Sequence, residues 1–227
     1  MWARSRGCTA AGVPQSPSGI RVSDLLRYLA SDPGELPDGA LFELTGGLLR
    51  ALAAFHRAPG APRHGAIMAA HVFLAHDGGV SFTGTDLAGR IEPLQRNREQ
   101  LWREFGLAFP PAASLPRFDR RADVTQLAAV ALALTLRRPL ELDEYPRDVP
   151  GLVIAATSAD SGDPRLRSAL RMWLMQALQL HSRANFSSAD DAERAFAGIP
   201  VPPPARRAGL RALRALIARL TPRDQVA

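Results

Sequence analysis

Three histidines and two aspartates crowd the stretch "RHGAIMAAHVFLAHDGGVSFTGTD" (63–86): His64, His71, His76, Asp77 and Asp86. Imidazoles and carboxylates in such a group are the usual material of metal sites and of acid–base chemistry. Their spacing matches no zinc pattern, however, and His76-Asp77 belongs to the turn signal "HDGG". All 28 basic residues are arginine and none is lysine, so a Schiff base or a phosphate-gripping amine is excluded. These residues therefore predict no catalytic residue, no metal and no cofactor. Asp86 reads as a loop acid or as a cap for the segment after it.

The elements that must hold this stretch are mostly helical. "VSDLLRYLA" (22–30) predicts a short helix with Ser23 as its cap. Over 37–58, Leu41, Leu44, Leu48, Leu52 and Phe55 recur at steps of three or four, the stripe of a packed helix, with Gly46 and Gly47 allowing a neighbour close. Val72–Leu74 and Val80–Phe82 flank the turn as a hairpin. Residues 122–136 are apolar nearly all round, as in a helix buried on every side. Helices follow at 164–180 and 188–198, with Met172, Trp173 and Met175 expected in the core. The fold class is thus mainly α with a small β-hairpin.

Bulk properties set the context. An apolar content of 46% is enough for a core, and the single cysteine, Cys8, permits no intramolecular disulfide. The opening residues lack a signal-peptide apolar region, and the longest apolar run, "LAAVALAL" (127–134), is far short of a bilayer span. The expectation is a cytoplasmic protein. The final 27 residues hold six arginines against one aspartate, so most of the formal net charge of +6 belongs to the tail.

The order of these elements resembles the C-terminal lobe of a protein kinase of the bacterial serine/threonine type. "LLRALAAFHRAPGAPRHGAIMAAHVFLAHDGGVSFTGTDLA" (48–88) is similar to the run from helix E through the catalytic loop to the magnesium loop. "RRADVTQLAAVALALTLRRPL" (120–140) resembles helix F, "LRSALRMWLMQALQLHSRANFSSADDAERAF" (166–196) helices H and I, and "SGIRVSDLLRYLASD" (18–32) helix D. The resemblance implies that His64 and Asp123 tie the catalytic loop to the central helix. It also shows what is replaced. The family pattern His-x-Asp-x-Lys-x-x-x-Asn reads His64, Ala66, Met68 and His71 here, and Asp-Phe-Gly gives way to Gly84-Thr85-Asp86. Alanine accepts no proton, a thioether binds no phosphate, and an imidazole is a poor magnesium ligand. No Ser, Thr or Tyr lies between Leu87 and Ala113 to accept a regulatory phosphate, and Pro-Pro-Ala-Ala (110–113) stands where Ala-Pro-Glu would. Its arginine partner aligns with Asn185, two residues from Arg183. No glycine-rich loop or N-terminal lobe is recognisable ahead of residue 20.

The implied organisation is a loose arm (1–19), a kinase-like C-lobe (20–199), and a Pro-rich linker with a basic amphipathic helix (200–227). The implied role is a catalytically inactive interaction or regulatory module; a truncated or decayed serine/threonine kinase fragment and a protein acting through its arginine-rich C-terminal helix are the alternatives. A protein partner is expected over 18–30 and 64–86, where an N-lobe would sit. In the tail, Leu210, Leu213, Ile217 and Leu220 form one stripe. Folding back or docking on a partner is favoured for it over membrane or nucleic acid.

Overall fold

Leucine stripes at helical spacing become helices in a computed structural model that describes residues 19–34, 36–60, 63–111, 115–158, 164–180, 185–201 and 203–221. The arm up to residue 18 with Cys8, residues 112 and 113, Arg183, Arg223 and Asp224 lie outside the described residues. Among those described, the chain is mainly helical with one small antiparallel sheet. The order is β1 (Ile20–Arg21), α1 (Val22–Ser31), α2 (Asp38–Arg57), β2 (Val72–Leu74), β3 (Val80–Phe82), α3 (Leu87–Ile91), α4 (Arg98–Phe105), α5 (Arg120–Leu136), α6 (Val149–Ala156), α7 (Pro164–Ala177), α8 (Ala189–Ala197) and α9 (Pro203–Leu220). None of these helices is long and apolar enough to cross a membrane.

The centre is α5, in which every residue from Ala122 to Leu134 is buried. That matches its lack of a polar face. Asp119 caps it by accepting from the Arg121 and Ala122 amides at 3.0 and 2.9 Å. α2, α6, α7 and α8 pack around it. At its far end Arg137 adopts a left-handed backbone (φ 58°) and its guanidinium donates to the Pro33 and Leu36 carbonyls and to Asp38. One side chain thereby fixes the connection between α1 and α2.

The hairpin gains a third strand. Ile20 pairs with Leu74 and Arg21 with Phe73, while β2 and β3 pair Val72 with Phe82 and Leu74 with Val80. Because the chain enters α1 straight from this strand, the helix begins at Val22 after Arg21. Ser23 lies inside the first turn and caps nothing. Gly47 does admit a neighbour: a Cβ there would stand 3.3 Å from Val80 Cγ2 of β3.

Trp173 is buried and donates to the Ala192 carbonyl at 2.9 Å, and Met175 packs against the core. Met172, expected beside them, is 45% exposed. One residue earlier on a helix is about 100° away, which turns it outward.

The tail helix folds back. Leu213, Leu216 and Ile217 are buried and α9 packs along α2. The helix starts at Pro203, inside the Pro-rich stretch. Where the two helices cross, a Cβ on Gly39 would lie 2.3 Å from the Ala205 carbonyl oxygen, and one on Gly209 2.3 Å from the Ala40 nitrogen. Only glycine permits that backbone contact.

Candidate functional site

The loop from 63 to 71 runs across the first turns of α5, and its underside is held by polar groups of that helix. Asp123, fully buried, accepts from the His64 amide at 2.7 Å, the Gly65 amide at 2.6 Å and His56 Nε2 at 2.8 Å. One turn on, Gln126 accepts from the Ile67 amide at 2.8 Å and donates to the Gly65 carbonyl at 3.3 Å. The loop lies so close to α3 that a Cβ on Gly65 (φ +76°) would sit 2.4 Å from Ala88 Cβ. Arg63 starts the loop by donating to the Phe118 carbonyl and pairing with Glu92. This loop's backbone has little freedom to move.

His64 is fully buried between the rings of Phe55 and Phe82, with centroids 5.5 and 5.6 Å away. Its Nδ1 accepts from the Ala66 amide at 3.3 Å, which places the proton of the neutral ring on Nε2. That Nε2 has no hydrogen-bond partner among the described residues, nor has Nδ1 of His56. Burial holds His64 below its ordinary pKa of 6.5, against the pull of the Asp123 carboxylate.

The upper face of the loop is apolar. Ala66 is fully buried in a small cluster with Ala88, Ile91, Leu101, Phe109 and Phe118, and Met68 packs against the same cluster. α3 thus packs directly over Ala66 through Ala88 and Ile91. His71 turns back on the loop, its Nδ1 3.3 Å from the Ala66 carbonyl oxygen. Gly84 (φ +81°) lies against that ring: a Cβ there would come within 2.9 Å of His71 Nδ1. Tyr145 clamps the extended segment that leaves α4, accepting from the Phe109 amide at 2.8 Å and donating to its carbonyl. Burial pushes the Tyr145 hydroxyl up to about 12.

The structure therefore brings together His64, Asp123, Ala66, Met68, His71 and Gly84. It leaves Asp86 exposed at the start of α3 without a side-chain capping bond, and His76 and Asp77 at the hairpin turn, where Asp77 accepts from the Gly79 amide at 2.7 Å. No group of three or more metal-ligating side chains forms among the described residues. The sequence did not single out His56, Gln126 or Tyr145. His56 carried a signal, since it lies in the last turn of the leucine-striped helix four residues after Leu52 of the stripe, on the buried face. No family model matches the chain, and no curated protein matches it.

Proposed function

We propose that this chain is a protein-kinase-like C-lobe that acts as a non-catalytic interaction or regulatory module. The observation that carries this reading is the pairing of a kept anchor with an emptied centre. Asp123 holds the His64 and Gly65 amides, while Ala66, one residue on, is sealed against α3. Phosphoryl transfer relies on positioning and on charge neutralisation by a base, a metal and cations. Loss of the base alone lowers a rate ~10²–10⁴-fold, and here Met68 and His71 occupy the neighbouring functional positions as well.

A protein partner over the face built by β1, β2 and the loop is part of the proposal. That face shows Arg21, stacked 5.4 Å above the Phe73 ring, with Ser81 beside them. The exposed large apolar side chains, Leu94, Leu115, Leu142, Ile154 and Met172, lie elsewhere. The partner surface is accordingly a mixed one, with an arginine over an aromatic ring at its middle.

The test is a phosphotransfer assay of the purified chain with magnesium or manganese ATP and generic protein substrates. The expected result is no incorporation above the protein-free control. Incorporation that Asp86→Ala or Asp123→Asn abolishes contradicts the proposal.

A further inference from the structure

The fold-back of α9 determines what its arginines can meet. Its large apolar residues, Leu213, Leu216 and Ile217, are spent on the core. Arg207, Arg211 and Arg214 remain exposed at i, i+4 and i+7, which is one face of a helix. They are separated along the axis by about 6 and 4.5 Å. Arg207 and Arg211 have no hydrogen-bond or ion-pair partner among the described residues. Arg214 is steadied through Nε, which donates to the Asp77 carbonyl at 2.9 Å and leaves its terminal nitrogens uncommitted. Arg219 is different: it donates to the Tyr28 hydroxyl at 2.6 Å and lies over that ring. The other exposed side chains of the helix include Ala208, Ala215 and Ala218, which let a partner come close.

This face selects against most acidic partners. Insertion into a membrane surface needs the apolar side of an amphipathic helix, and that side is buried here against α2. Protein hot spots combine Trp, Tyr and Arg in well-packed, desolvated pockets, and the outward face offers its arginines on an open helix surface among alanines, with no aromatic beside them. Binding of single strands draws on aromatic stacking platforms, which this face lacks. A nucleic-acid duplex asks for none of these. It carries one charge per ~1.7 Å of axis, so three guanidiniums spread over ~10 Å of helix each reach a phosphate in any sequence. We propose that the outward arginine face of α9 binds duplex nucleic acid through the phosphate backbone, without reading bases. Such binding does not depend on the kinase-like reading.

The experiment is fluorescence anisotropy of the full chain with two DNA duplexes of unrelated sequence, across a salt series from ~50 to ~200 mM. Both duplexes are expected to bind alike, with affinity falling steeply with salt. R207Q/R211Q is expected to reduce the slope of log K against log salt by ~1.8, and R207Q/R211Q/R214Q by ~2.7. Both variants should melt where the parent does, since these side chains lie outside the core. The exposed pair R90Q/R103Q on α3 and α4 is the charge-matched control and should keep the slope. Absence of binding at the lowest salt overturns the proposal, as does a control that loses as much as the α9 variants. Equal affinity for phosphatidylserine vesicles or for polyglutamate, with the same arginine dependence, replaces the duplex by a lipid or an acidic protein and overturns it too.

Discussion

The two sides of the 64–71 loop are built on opposite principles. Underneath, toward α5, Asp123 and Gln126 accept from the His64, Gly65 and Ile67 amides and from His56 Nε2. On top, toward α3, Ala66 and Met68 face an apolar cluster and the two glycines allow the chains to touch. The machinery that positions a loop is thus separable from whatever the loop presents. The buried carboxylate holds its three donors whether or not the upper face does chemistry.

The largest effect is expected on the underside. Asp123→Ala leaves three buried donors without an acceptor and should destabilise the chain by ~3–5 kcal/mol, measured by urea unfolding. A loss below about 1 kcal/mol, the worth of an ordinary hydrogen bond, would break the contrast between the two sides. Next comes the reverse experiment on top. Ala66→Asp buries a carboxylate among apolar neighbours and should cost on the order of 3 kcal/mol at neutral pH. Burial raises such a carboxyl's pKa, so the penalty should shrink as pH falls and the group protonates. Melting of this variant across pH 5–8, with phosphotransfer assayed alongside, checks both the cost and the absence of any gained activity.

Smaller effects sharpen the picture. Gln126→Leu removes one acceptor and one donor from the loop backbone and should cost ~1–3 kcal/mol in the same unfolding experiment. His64 sets a pH dependence. Its folded pKa lies below the ordinary 6.5, so the unfolded chain binds the proton more readily. Its contribution is fully present above pH 6.5 and is lost as pH falls from there through the folded pKa. His64→Gln should flatten that part of the stability profile. Asp86→Ala, at an exposed position with no capping bond, should leave the melting point unchanged.

Legibility in the sequence depends on how local each signal is. The stripe of α2 and the all-apolar α5 were legible because period and burial are written in neighbouring residues. α6 was not: "VPGLVIAA" is apolar with no amphipathic step, and only Val149 and Val153 are buried in it. β1 is two residues long and exists only through pairing with β2, more than 50 positions away. At the site, His64 and Asp123 stood out through their place in a known pattern. The third donor to that carboxylate, His56, sits 67 residues from Asp123 in a helix end that looks ordinary. The sealing of Ala66 by α3 was equally hidden, because a short helix placed by contacts at Gly65 and Gly84 has no periodicity of its own.

Thermal unfolding of the purified chain with and without saturating magnesium ATP decides whether the anchored loop carries any nucleotide chemistry above it. One cooperative transition at the same temperature in both conditions is the expected result. A ligand at a hundred times its Kd adds ~2.7 kcal/mol, roughly 5–10 °C for a domain of this size. An upward shift of that order with magnesium ATP would contradict the picture of a loop held from below and sealed from above.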